Sequence, residues 1–156
     1  MSRIFAALIL ALIAAPTRAD DSITEADRFR LWNDCRPIWA LVEVMPPDAE
    51  KSGLPQEGVE TAVRARLQSA RIFSDARTNT YLHVNIHLVG RAFSIEVMYR
   101  KPLYDEISEA ALALPTWERG SVGTSGDADF IRASVARKVE KFIDEYLTVN
   151  ASACGN

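Results

Sequence analysis

Apolar and polar positions change their period several times along the chain, and each change marks an element. Leu82, Val84, Ile86 and Leu88 alternate with His83, Asn85 and His87, the period-2 signature of a strand with one dry and one wet face. The alternation resumes beyond Gly90-Arg91, where Phe93, Ile95, Val97 and Tyr99 are set against Ser94, Glu96, Met98 and Arg100. These two runs predict a hairpin about a glycine turn. Pro102 to Glu109 reads as a polar turn with ragged strand ends, and Leu114 to Val122, containing Trp117, as the third strand of a meander. Upstream, Pro37 to Met45 is apolar on both parities except at Glu43, as expected of a strand covered on both sides. Pro46-Pro47-Asp48 ends it, because proline has no N–H to give to a ladder.

Helical spacing governs the remainder. Pro55 and Glu57 favour a helix start, and Val59, Val63 and Leu67 recur every four residues, predicting a helix to about Ala70. Ile72 and Phe73 are expected to begin a short strand. Asp127 can cap a long final helix whose apolar stripe is Phe130, Ile131, Val135, Val139, Phe142, Ile143, Tyr146 and Leu147. Thr24 and Asp27 resemble a capping box ahead of a short helix over 24–34. The order β-α-β-β-β-α predicts an α+β fold: a two-layer sandwich of a largely antiparallel sheet with two helices on one face. With no repeat or linker, residues 20–156 read as one domain.

The first 19 residues fit a different purpose. Arg3 precedes the unbroken apolar run Ile4 to Ala15, and Thr17-Arg18-Ala19 sets small residues three and one before Asp20, the pattern of a cleaved secretory signal. As a helix that run would span roughly 18 Å, short of the roughly 30 Å hydrocarbon core, so no integral membrane anchor is expected. A lipoprotein would need cysteine at the cleavage point, where Asp20 stands. A periplasmic or secreted product is the expectation.

Composition adds limits. The 156 residues are 48% hydrophobic and 25% charged, enough for one core and unlike a disordered chain. The formal charge of −3 becomes −5 without Arg3 and Arg18, leaving 16 basic against 21 acidic side chains. A nucleic-acid backbone would be repelled, so no nucleic-acid partner is expected. Two cysteines, Cys35 and Cys154, in an exported chain are expected to pair, closing a loop of nearly the whole domain. A metal site or a redox pair is the competing reading, but it lacks a neighbouring Cys-x-x-Cys or histidine cluster.

Candidate chemistry is sparse. His83 and His87 would share a helix face, but on a strand they stand roughly 13 Å apart, too far for one ion, so a metal would have to recruit a neighbour such as Glu96. The run Gly120, Ser121, Val122, Gly123, Thr124, Ser125 and Gly126, placed between a strand and a helix, offers backbone donors as a possible anion loop. It lacks the Walker lysine and spacing, and Asp127 and Asp129 oppose an anion. Neither Ser121 nor Ser125 sits in Gly-x-Ser-x-Gly, and His-Glu-x-x-His is absent. No catalytic residue, metal ligand set or cofactor is therefore assigned. If Ile38, Ala40, Val42 and Val44 face the helices, then Trp39, Leu41 and Met45 share the other face with His83, Asn85, His87, Glu96 and Met98. That face is either a recognition surface or is covered by the N-terminal segment with Phe29, Leu31 and Trp32.

Cys35-Arg36-Pro37-Ile38-Trp39, the Tyr81 to Arg100 hairpin with Val89-Gly90-Arg91-Ala92-Phe93 at its bend, Trp117 before Gly120, and Phe142 to Leu147 near the closing cysteine together resemble a family of small exported Gram-negative proteins with no assigned function. The element order is also similar to periplasmic α/β domains of envelope assembly proteins, such as the N-terminal domain of the Tol translocation β-propeller protein. That likeness is architectural and carries no catalytic residue across. The expected function is a non-enzymatic protein-binding or envelope-associated module whose partner is another envelope protein. The alternative is a small-ligand or metal-binding periplasmic protein. Oligomeric state and partner identity are not written in the residues.

Overall fold

A computed structural model of the chain describes residues 23–44, 53–124 and 127–155, so the leader expected at 1–19 lies outside the described residues. Helix α1 (Glu25–Leu31) starts at a reciprocal cap: Thr24 Oγ1 accepts from the Asp27 N–H at 3.1 Å, and the Asp27 carboxylate accepts from the Thr24 N–H at 3.1 Å. Strand β1 (Trp39–Val44) is followed by helix α2 (Gln56–Ser69), which buries Val59, Val63 and Leu67, the stripe its spacing predicts. Strands β2 (Tyr81–Val89), β3 (Ala92–Asp105) and β4 (Ala110–Thr124) form the meander. Helix α3 (Ala128–Val149) is capped by Asp127, which accepts from the Asp129 N–H at 2.9 Å, and the single turn α4 (Ala151–Cys154) follows.

The sheet order is β1-β2-β3-β4. β1 runs parallel to β2, the crossover being made through α2, and the other two pairs are antiparallel. The fold is therefore the expected α+β class, with a mostly antiparallel sheet packed against helices. Ile72 and Phe73 form no strand; Phe73 makes one parallel bridge to Ile38, held by Ile38 N–H to Ile72 O and Ser74 N–H to Ile38 O, both at 2.8 Å.

Cross-strand pairs share a face, so the register fixes two surfaces. Val42, Val84 and Val97 lie in one row and Leu82 and Tyr99 in the next, all buried and meeting Ile131, Val135, Val139, Phe142 and Tyr146 of α3 in the core. Leu31 of α1 joins this same core. The N-terminal segment thus packs with the helical layer and does not lie over the wet face, the alternative that the sequence left open. Lys101 fastens it there, donating to the Phe29 and Trp32 carbonyls at 2.7 and 3.1 Å. That places a cation at the helix C-terminus, where it complements the negative end of the dipole.

The expected turn over Pro102 to Glu109 is a correction. β3 continues to Asp105 and β4 begins at Ala110, so the hairpin extends as a two-stranded arm and only 106–109 turn. Proline is tolerated here because β2 stops pairing at Arg100, which leaves Pro102 on an edge; Pro115 lies in the edge strand β4.

The predicted disulfide is present. Cys35 and Cys154 are joined with their Cα atoms 5.1 Å apart, and no free cysteine occurs among the described residues. Asn150, fully buried, sits beside the bridge. Its Oδ1 accepts from the Asn33 and Cys35 N–H groups at 2.9 and 3.3 Å, and its Nδ2 donates to the Leu31 and Tyr146 carbonyls at 3.0 and 2.8 Å. Asp34 and Cys35 hold left-handed backbone (φ 55° and 51°), a conformation costing roughly 1–2 kcal/mol per residue that these contacts help to offset.

Candidate binding surfaces

The expected recognition residues do come together. Leu41, His83, Met98 and Glu118 form one row across the four strands, and Glu43, Asn85, Glu96 and Gly120 the next. Trp39 pairs with Tyr81, and His87 stands opposite Ser94. All lie on the sheet face turned away from the core. Met45 lies outside the described residues.

This face is less open than its residue types imply. His83 and Met98 are only 8% and 7% exposed, Trp39 and Leu41 are half-buried, and of the two histidines only His87 is exposed. Trp39 stacks on Tyr81 at 4.8 Å between centroids, carries the Arg77 guanidinium over its ring, and donates its indole N–H to the Thr78 carbonyl at 2.7 Å. His83 Nε2 lies 3.0 Å from Glu43 Oε2, and its Nδ1 is buried without a hydrogen-bond partner. His87 Nε2 lies 3.0 Å from Asn85 Nδ2. The two histidines therefore have separate partners, and Glu43, not Glu96, is the carboxylate that meets one. No three His, Cys, Asp or Glu side chains among the described residues gather as a metal ligand set.

The expected anion loop is a second correction. Gly120, Ser121, Val122, Gly123 and Thr124 belong to β4 and pair with Glu96, Ile95, Ser94, Phe93 and Ala92. Their backbone runs in a ladder and does not curl into a cradle. Ser125 and Gly126 lie outside the described residues.

What periodicity missed is the arm. Ile107 is 96% exposed, Tyr104 and Leu112 are each 63% exposed, and Leu114 and Phe29 are exposed nearby. Leu103 stands opposite Leu112, and Lys101 opposite Leu114, so one side of the ribbon is an apolar strip ending at the Phe29 ring, which Lys101 Nζ overlies at 5.9 Å. The alternation of Leu103, Leu112 and Leu114 with small or polar neighbours was a usable signal, hidden by the two prolines.

Beside the arm, one charged network stands out. Glu145 accepts from the Trp117 indole at 2.6 Å and from Arg119 at 3.0 Å, with Lys141 Nζ at 3.5 Å. Partial burial pushes its carboxyl up, but these donors outweigh that and hold it below the ordinary carboxylate range. The described residues contain no helix long and apolar enough to cross a membrane. Comparison with known proteins finds no matching family model, no matching curated protein and no matching solved structure.

Proposed function

We propose that this protein is an exported, non-enzymatic binding module of the cell envelope that engages another protein through the β3–β4 arm and the adjoining sheet face. The observation that carries this reading is the arm itself: a two-stranded ribbon extends past β2 with Tyr104, Ile107, Leu112 and Leu114 in solvent. A lone ribbon is marginal in water, and exposed apolar side chains gathered in one place are what a protein partner covers. β4 also presents an open backbone edge onto which an extended segment can add. The disulfide supports an oxidising compartment, and the excess of acidic side chains disfavours nucleic acid. The likeness to small exported Gram-negative proteins agrees with this placement.

Crosslinking and pull-down from intact envelopes with the oxidised, tagged protein tests the reading. One specific envelope protein is expected to be retained, and to be lost with Leu112→Asp and Leu114→Asp while the thermal transition is unchanged. A partner retained equally by the wild type and both variants would refute the arm as the contact. Turnover of a substrate abolished by His83→Ala would refute the non-enzymatic reading.

A further inference from the structure

β4 is the last strand of the sheet and bonds to β3 alone, so every second residue turns its N–H and C=O away from the sheet. Over its first half that edge is guarded. Pro115 has no N–H to offer, the ladder is irregular between Tyr99 and Arg100, and α1 stands alongside, the Thr116 hydroxyl donating to the Arg30 carbonyl at 2.6 Å. Over 119–124 no such device appears. The stretch Arg119, Gly120, Ser121, Val122, Gly123 and Thr124 holds no proline, lysine or bulge. Among the described residues, no backbone group in it bonds to any backbone but that of β3. Its two glycines leave the edge bare enough for another chain to come close.

The side chains of an added strand would alternate between the two faces of the sheet, and beside 119–124 those faces differ in chemistry. Toward α3, next to Ser121 and Gly123, lies a cavity of about 410 Å³ whose helical wall is Phe130, Ser134, Arg137 and Lys138. Arg137 donates to Oγ of the buried Ser134 at 2.9 Å. Neither Arg137 nor Lys138 forms an ion pair among the described residues, and Glu140, close to them on α3, is held by Arg66 at 3.1 Å. Burial and the neighbouring Arg137 push the Lys138 ammonium down, and an arriving carboxylate would counter both. On the outer face, Val122 is 83% exposed and Val89 76%, and both border a separate, largely apolar hollow of about 440 Å³. One cationic side and one apolar side thus flank the same bare edge.

We propose that 119–124 is the docking edge for an extended segment of a partner protein in which acidic and apolar residues alternate. The segment joins β4 as a fifth strand, its carboxylates passing beside Ser121 to Arg137 and Lys138 and its apolar side chains lying by Val122. Main-chain hydrogen bonds hold it, charge selects the side chains turned toward α3, and the exposed valine selects those turned outward. A second copy of this chain pairing through the same edge would bring Arg119 and no acid, so it does not match. The inference rests on the protein-binding reading and specifies the partner's chemistry at the end of β4 remote from the arm.

Titration of the oxidised protein with end-capped hexapeptides, read from its amide resonances, is the test. A peptide alternating glutamate and valine is expected to bind at least ~10-fold more tightly than one alternating lysine and valine, and to shift the amides of 119–123. The same peptide with proline at its two central positions loses a ladder donor and is expected to weaken by a similar factor of ~10. Arg137→Glu/Lys138→Glu is expected to lose ~10-fold or more, Val122→Asp to weaken binding, and Arg64→Glu on α2 to change nothing. Should the double variant fail to fold, Val122→Asp and the proline peptide decide alone. Equal binding of the lysine or the proline peptide would overturn the proposal. So would inorganic phosphate shifting the same amides with equal affinity, which would mark a small-anion site, or self-association abolished by Val122→Asp, which would mark a contact between copies. No envelope protein enters this titration, so its failure leaves the pull-down with Leu112→Asp and Leu114→Asp to judge the arm separately.

Discussion

Single side chains hold the two ends of the fold together. Asn150 satisfies two N–H groups and two carbonyls contributed by segments more than a hundred positions apart. Asn150→Ala leaves all four without that partner in a buried site, and a loss of about 2–4 kcal/mol is expected in urea unfolding with the disulfide intact. Glu145 acts differently, through charge. Its folded pKa is depressed, so its contribution is present above the ordinary carboxylate value and is lost as pH falls through the lower folded value. The urea midpoint of the wild type should therefore exceed that of Glu145→Gln most at neutrality, the gap narrowing toward pH ~3; an equal gap at both pH values would exclude the charge as its origin. Periodicity placed His83 correctly on the outer face but could not foresee its burial, because burial there depends on which cross-strand neighbours flank it.

At the scale of elements, local chemistry was legible wherever one face of a strand or helix is buried. The Leu82–Leu88 and Phe93–Tyr99 alternations and the Val59-Val63-Leu67 stripe lie where they were expected. The arm was not legible, because a proline reads as the end of a strand unless it is known that the strand beside it has already stopped. The extension of β4 through Gly120 to Thr124 was obscured in the same way, by glycines whose positions in the ladder depend on pairing with residues 92–96. Beyond the point where Lys101 ties it to α1, the arm has one ladder and no layer on it, so hydrogen exchange should separate it from the core: amides of 103–105 and 110–112 are expected to exchange at least ~100-fold faster than those of 82–88 in the unbound protein. Protection of the arm on adding a protein captured in the pull-down would then map the proposed contact.

For the whole molecule, the topology combines one parallel β-α-β crossover with an antiparallel meander, and the largely antiparallel sheet followed directly from element order. The parallel pairing of β1 with β2 did not, since parity in a run apolar on both sides carries no direction. The disulfide spans 119 positions. Closing so long a loop reduces the freedom of the unfolded chain, and the double variant Cys35→Ser/Cys154→Ser is expected to lose on the order of 4–5 kcal/mol by the chain-entropy model, measured as a lower urea midpoint at equal slope. A change in slope would locate the effect in the compactness of the unfolded chain instead.

Because Cys35 and Cys154 close the backbone into a ring, the exposed tip of the arm is a place where the polypeptide can be severed without coming apart. A protease cutting between Glu106 and Glu109 would leave two pieces, each carrying one sulfur of the bridge, that migrate as a single species until a reductant is added. One nick at the tip therefore opens the hairpin while both of its strands stay held by the sheet and the bridge.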